Sequence, residues 1–391
     1  MANPKLKHVV WLSCAVAAVA SCATPSKEHV KTQSSPPLTL APSASSSAPL
    51  PLASASATPA APSVVEPRAR GSSPVDTIVA TGDRAFAADD TTGAEQAYKE
   101  ASEKDPKHVG ALTGLARVSI AQSDGATELN AGSLAPPAKI TQAIELARKA
   151  IQLNGTFAPA RVELGRALLI LGKAEEALTE LERARDLGAS SAEANGALGV
   201  ALMGVGRADD AIGPLAKAVK IDPKNAARHR LLGAALVSRG RVEDAVTELQ
   251  IAANLAPDDA RTASDLGGVY LAAGTVDLAI ASLERALKIE PNRTGALINL
   301  GYAKLLKGDL DGSISATQAA LKNDPKRGTA WINLGVAYTK KKQLSDARKA
   351  FEKALALDPD DPRAKENLDA VKELEKSQGK PTGKPGAAPK K

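Results

Sequence analysis

Thiols are almost absent from this chain. Of its 391 residues two are cysteine, Cys14 and Cys22, both near the start. Everything after Cys22 can form no disulfide and no cysteine-ligated metal site. Histidine is nearly as scarce, with His8, His29, His108 and His229. None of the four has a cysteine, a serine elbow or a carboxylate at a spacing that suggests a catalytic triad or a metal site. The glycines are common but do not follow a phosphate-loop spacing. The acidic pairs Asp209-Asp210, Asp258-Asp259 and Asp360-Asp361 fall at or beside loops. Aspartate there favours helix N-termini through capping and the macrodipole, without calcium. The apolar run Val9–Ala20 is too short to span a bilayer as a stable helix. These absences point away from an enzyme. No cofactor, metal or small-molecule substrate is expected.

Excess charge is also missing from most of the chain. The formal net charge is +6. The surplus lies at the two ends, in Lys5, Lys7, Lys27, Lys31, Arg68 and Arg70, and in Lys376, Lys380, Lys384, Lys390 and Lys391. Only Glu28 and Glu66 oppose them there. The body between is slightly acidic, so it is no electrostatic trap for nucleic acid.

What the chain has is a period. Leu164-Gly165, Leu198-Gly199, Leu232-Gly233, Leu266-Gly267, Leu300-Gly301 and Leu334-Gly335 recur at one constant interval. A fixed step of about 34 residues means a stacked array, not a single globular core. Small residues keep the same step at Ala177, Ala211, Ala245, Ala279, Ser313 and Ala347. They do so again at Ala184, Ala218, Ala252, Ala286, Ala320 and Ala354. Apolar positions at i, i+3, i+4 and i+7 give two short amphipathic helices per repeat. Gly172, Gly206, Gly240, Gly274 and Gly308 separate them, where a left-handed residue ends the first helix. Pro223, Pro257, Pro291, Pro325 and Pro359 follow the second helix and reset the chain. The small residues let the paired helices approach closely. Leu181, Leu215, Leu249, Leu283 and Phe351 are expected to fill the space between neighbouring pairs.

This pattern resembles the tetratricopeptide repeat family. The last copy carries it best, in Trp331, Leu334, Gly335, Tyr338, Ala347, Phe351, Ala354 and Pro359. Two weaker copies extend the frame backwards. One runs from Val75 with Ala94, Tyr98, Ala101 and Pro106, the other from Val109 with Leu112, Leu115, Ala143 and Ala150. The resemblance implies an all-α, right-handed α-solenoid of about eight helix-turn-helix repeats over 75–361. Their starts are 75, 109, 158, 192, 226, 260, 294 and 328. An insertion around Ser123–Lys139 interrupts the second repeat. A cap helix over 362–376 and a basic, disordered tail over 377–391 follow. Caps are needed because a terminal repeat exposes an apolar face.

The start of the chain resembles a bacterial lipoprotein signal peptide over residues 1–21. Lys5 and Lys7 precede the apolar run, which ends in Val19-Ala20-Ser21-Cys22. The resemblance implies acylation of Cys22 and anchoring in the cell envelope. With Ala23 next, it implies the outer membrane, facing the periplasm. Residues 22–74 are rich in Ser, Ala and Pro and read as a disordered linker.

One constellation suits binding. The residue before each repeat leucine is expected on the inner face of the first helices, which line the concave groove in this family. Asp265, Asn299, Asn333 and, in the cap, Asn367 occupy it. They resemble the asparagine ladder in the repeats of O-linked N-acetylglucosamine transferase, which grips peptide backbone. A side-chain amide offers both a donor and an acceptor to a peptide unit. Tyr302, Thr339 and Lys340 lie close enough in register to add contacts. Upstream the position holds Glu163, Ala197 and Leu231, so the ladder stops. Arg166 and Arg230 are separate and make no carboxylate clamp. His229 takes the place of Trp331 and packs between helices. The reading is a non-catalytic, lipid-anchored adaptor. It takes a protein partner, an extended peptide or a helix, in its groove and supports assembly of an envelope complex. The alternative is an accessory subunit recruiting a cell-wall or secretion enzyme.

Overall fold

The structure is a computed structural model and describes residues 73–123 and 138–378. The expected signal peptide with Cys22, the linker, residues 124–137 of the insertion and the tail from 379 lie outside the described residues.

Among the described residues every regular element is a helix. The helices form pairs: α1 (Pro74–Ala87) with α2 (Thr91–Lys104), α3 (Val109–Ser123) with α4 (Ala138–Leu153), and α5 (Ala158–Ile170) with α6 (Ala174–Asp186). Next come α7 (Ala192–Gly204) with α8 (Ala208–Ile221), and α9 (Ala226–Ser238) with α10 (Val242–Leu255). The last are α11 (Ala260–Ala272) with α12 (Val276–Ile289), α13 (Thr294–Lys307) with α14 (Leu310–Asn323), and α15 (Gly328–Lys340) with α16 (Leu344–Leu357). A single helix, α17 (Pro362–Gln378), follows and runs slightly past the expected cap. No described helix is long and apolar enough to cross a membrane.

The chain divides into two compact units, one ending at Pro257 with α1 to α10, the other beginning at Asp258 with α11 to α17. The same construction recurs in each. The first helix of a pair touches the first helix of the next, as α11, α13, α15 and α17 do in the second unit. The second helices, α12, α14 and α16, do not touch one another. Within each unit the first helices therefore crowd along an inner face and the second helices splay on the outer one.

Glycine makes the pairs possible. A methyl group on Gly199 would lie 2.4 Å from Cγ of Leu215, and one on Gly335 would lie 2.6 Å from the Phe351 ring. Leu181, Leu215, Leu249, Leu283 and Phe351 are thus seated on the glycine of their own pair, and Phe351 also packs in one cluster with Ala364 and Leu368 of α17, toward the next element as the sequence suggested. The reason is reach. The crossing of two short helices is closest at the glycine, and a large side chain from the partner fills the gap it leaves.

The turns follow the glycine pattern with two exceptions. Gly172, Gly206, Gly240, Gly274 and Gly308 have positive φ, and Asp89 and Lys342 adopt the same conformation at φ 62° and 63°. Between repeats, a side-chain N–H closes the loop onto a carbonyl a few residues earlier. Trp331 Nε1 donates to the Pro325 carbonyl at 2.9 Å. His229 Nε2 sits 2.9 Å from the Pro223 carbonyl, and Arg161 reaches that of Gly155 at 3.0 Å. Asp259 and Asp361 cap α11 and α17 through backbone N–H groups, as their loop positions implied.

Candidate ligand-binding face

In the second unit, the asparagines that precede the repeat leucines are buried. Asn299 on α13, Asn333 on α15 and Asn367 on α17 are 4%, 2% and 6% exposed. Asn299 lies against Gly268 on α11, its Nδ2 3.5 Å from where a methyl group on that glycine would stand. One amide atom of each asparagine is fully buried with no hydrogen-bond partner: Oδ1 of Asn299, Nδ2 of Asn333 and Nδ2 of Asn367. Ser313 Oγ and Arg348 Nε share that condition in this unit. A buried polar atom left without a partner costs about 1–3 kcal/mol. The same condition recurs on three successive inner helices.

The other candidates surround this row unevenly. Asp265 on α11 and Tyr302 on α13 are half-buried and already have partners in the fold. Lys340 is exposed at the end of α15. Thr339 donates its hydroxyl to the Gly335 carbonyl of its own helix at 2.8 Å, which occupies that proton.

The inner face of the first unit is built differently. Glu163 takes the asparagine position and is 2% exposed. Its carboxylate lies 2.8 Å from Arg166 and 4.0 Å from Arg117. Arg117 stacks on the Phe86 ring of α1, 4.2 Å from its centroid, and reaches Glu193 of α7 at 3.3 Å. Glu193 lies 3.7 Å from Arg228, which also holds Asp222 at 3.1 Å and the Ala192 carbonyl at 3.0 Å. Three guanidinium groups meet three carboxylates, so the face neutralises itself. Arg166, separate in sequence from other cations, belongs to this chain of ion pairs. Reading the sequence missed the network. Its one signal was that Arg117 and Arg166 follow Ala116 and Gly165 at the same register position. Among the described residues no group of three or more His, Cys, Asp or Glu is placed to hold a metal.

Stacked helix pairs on a glycine-seated frame define an α-solenoid. Residues 79–143, 162–226 and 298–362 match one tetratricopeptide repeat model, 202–264 a second and 260–293 a third, together more than half of the chain. The chain belongs to the tetratricopeptide repeat family. No curated protein sequence matches it. Among solved structures it is similar to the APC/C hetero-tetramer Cut9-Hcn1, at 18% identity and a TM-score of 0.55 over 76% of this chain. The match spans 55% of that chain, about half its length. It is also similar to PilF of Pseudomonas aeruginosa, at 20% identity and a TM-score of 0.48 over 55% of this chain and 97% of that one. YrrB, described as a TPR protein with an unusual peptide-binding site, has 24% identity and a TM-score of 0.41 over 49% and 97%. At these identities the likeness is one of fold.

Proposed function

We propose that this protein is a non-catalytic adaptor, anchored through acylated Cys22 in a bacterial envelope, that holds a partner along the inner face of residues 258–378. The partner presents an extended peptide backbone. One observation carries the reading: Asn299, Asn333 and Asn367 stand in register on three successive inner helices. Amides can pair with both the N–H and the C=O of a peptide unit, and so suit a backbone whatever its sequence. Lys340 and Tyr302 flank the row and would set preference among side chains. The face of residues 73–257 is committed to its own ion pairs, which supports placing the partner on the second unit.

The test is a crosslinking capture from envelope membranes, comparing the wild-type chain with Asn299→Ala/Asn333→Ala. Capture of the same partner by both forms would dismiss the asparagine row. Loss of the partner from a double variant with unchanged unfolding would support it. Anchoring is tested separately by incorporation of labelled palmitate, which Cys22→Ala should abolish.

A further inference from the structure

A second surface lies in the first unit, on the outer side, where α6 and α8 part over α7. A cavity of about 740 Å³ opens between these elements. A side-chain pairing seen in the repeats on either side is missing here. In the repeat before it, Arg161 of α5 and Glu180 of α6 meet at 2.5 Å within their pair. In the repeat after it, His229 and Glu248 meet at 2.6 Å. In the pair of α3 and α4, Leu112 and Leu146 fill the same place in an apolar cluster. Asn195 stands one repeat period after Arg161 and one before His229. Pro214 stands one period after Glu180 and one before Glu248. Asparagine is too short to plug the gap and proline offers no carboxylate. Asn195 instead turns its amide back to the Ser190 and Ser191 carbonyls at 3.0 and 2.9 Å. The loop below it differs too, with Gly188 at φ 90° and Ala189 where later repeats have Asp or another residue followed by proline.

The floor of this groove is apolar, formed by Leu198, Leu202 and Ile221. Its rim is cationic. Lys217 and Lys220 are exposed and have no ion-pair partner among the described residues. Arg185 is held only by its chain neighbour Asp186. The two acidic groups on the rim, Glu182 and Asp210, are both taken by Arg207. Lys217 and Lys220 are therefore left to face whatever enters, with Arg185 shared with Asp186 beside them.

We infer that this groove is a docking site for an acidic segment of a partner protein, with a bulky apolar side chain seated between flanking carboxylates. Charge complementarity carries the choice of occupant. The apolar floor takes the side chain, and Arg185, Lys217 and Lys220 take the carboxylates. The chain's own terminal segments hold only Glu28 and Glu66 as acids and do not fit the description. The site is independent of the asparagine row, which lies in the other unit.

The test uses the full chain and a fluorescein-labelled peptide with an Asp-Glu-Leu-Phe-Glu-Asp core. Controls replace its acids by lysine or its Leu-Phe pair by serine. Two variants probe the groove. Lys217→Glu/Lys220→Glu reverses the rim. Asn195→Arg/Pro214→Glu rebuilds the plug seen at Arg161–Glu180, and removing a proline from inside α8 keeps the helix secure. The acidic peptide should bind wild type saturably, and at least about tenfold more weakly to each variant, a loss of about 1.4 kcal/mol. Both control peptides should bind as weakly. Hydrogen exchange should show protection over 187–191 and α8. Equal binding to the plugged variant, protection over α13 and α15 instead, or no saturable binding to wild type would overturn the inference. Self-association of the wild type that the plug abolishes would also overturn it, by making the occupant a second copy.

Discussion

Gly199 and Leu215 share a space that holds only one of them at full size. An added methyl group would stand 2.4 Å from Leu215 Cγ, well inside contact distance, so Gly199→Ala must push the α7–α8 crossing apart. Overpacking of this kind costs about 1–3 kcal/mol. A lower urea midpoint at an unchanged slope is expected, and an unchanged midpoint would show that the crossing can relax. Ala286, wholly buried on α12, makes the same case for leucine in its place. Charge acts at single residues as well. The Ser73 hydroxyl bonded to Asp76 holds that carboxyl below its ordinary value of 3.8, against the opposing effect of burial, with His108 adding to the lowering. A carboxyl lowered in the folded state contributes stability that is complete above the ordinary value. The contribution disappears as pH falls through the folded one. Ser73→Ala should therefore reduce the difference between urea midpoints measured at about pH 5 and about pH 3. An unaltered difference would remove Asp76 as a source of acid sensitivity.

At the scale of elements, the helix pairs were legible and some of their turns were not. Gly172, Gly206, Gly240, Gly274 and Gly308 announce a left-handed turn in the sequence, because glycine adopts it without steric cost. Asp89 and Lys342 do not, yet they take the same conformation. The close approach of the two helices dictates the turn, and the local residue has to comply. Lys342→Gly should raise stability by about 0.5–1 kcal/mol, since a side chain in the left-handed region is disfavoured and only part of that gain is lost to chain entropy. Thermal unfolding would read this directly, and a lower midpoint would mean that the Lys342 side chain does more than occupy the turn. Pro214 is a second element-scale anomaly. It lies inside α8 and cannot donate to the carbonyl of Asp210. The sequence displayed a proline there, but its consequence, an open groove, needed the positions of Arg161, Glu180, His229 and Glu248 for comparison.

At the scale of the whole molecule, two inner faces built on one repeat frame have opposite chemistry. In residues 73–257 the face is an alternating row of arginine and carboxylate that reaches from α3 across α5 to α7 and α9. In residues 258–378 buried asparagines take that position from α13 onward, with amide atoms left over. Glu163→Ala would leave half-buried Arg166 without its carboxylate while Arg117 keeps Glu193, a loss smaller than the cost of about 3–5 kcal/mol for breaking a fully buried pair. Each repeat answers chiefly to its neighbours. Hydrogen exchange should therefore rise in α3, α5 and α7 and stay level in α15 to α17. A uniform rise along the chain would show that the array responds as one body. The Glu163 position was singled out in the sequence only as the place where the asparagine row ends. What replaced the row was not visible, because Arg117 and Glu193 are far apart along the chain and meet only through stacking.

The sequence by itself determined the repeat length, the division of each repeat into two helices and the small residue, glycine or alanine, on which each pair closes. These are local properties, set by helical periodicity, by the reach of adjacent side chains and by residues that end a helix. Only the tertiary structure decided that the large apolar residues seat on the glycine of their own pair, that an ion-pair row closes one inner face, and that a groove opens beside Asn195 and Pro214. Each of these depends on how side chains from separate helices or repeats meet. A fixed period places such residues in register without saying whether they touch.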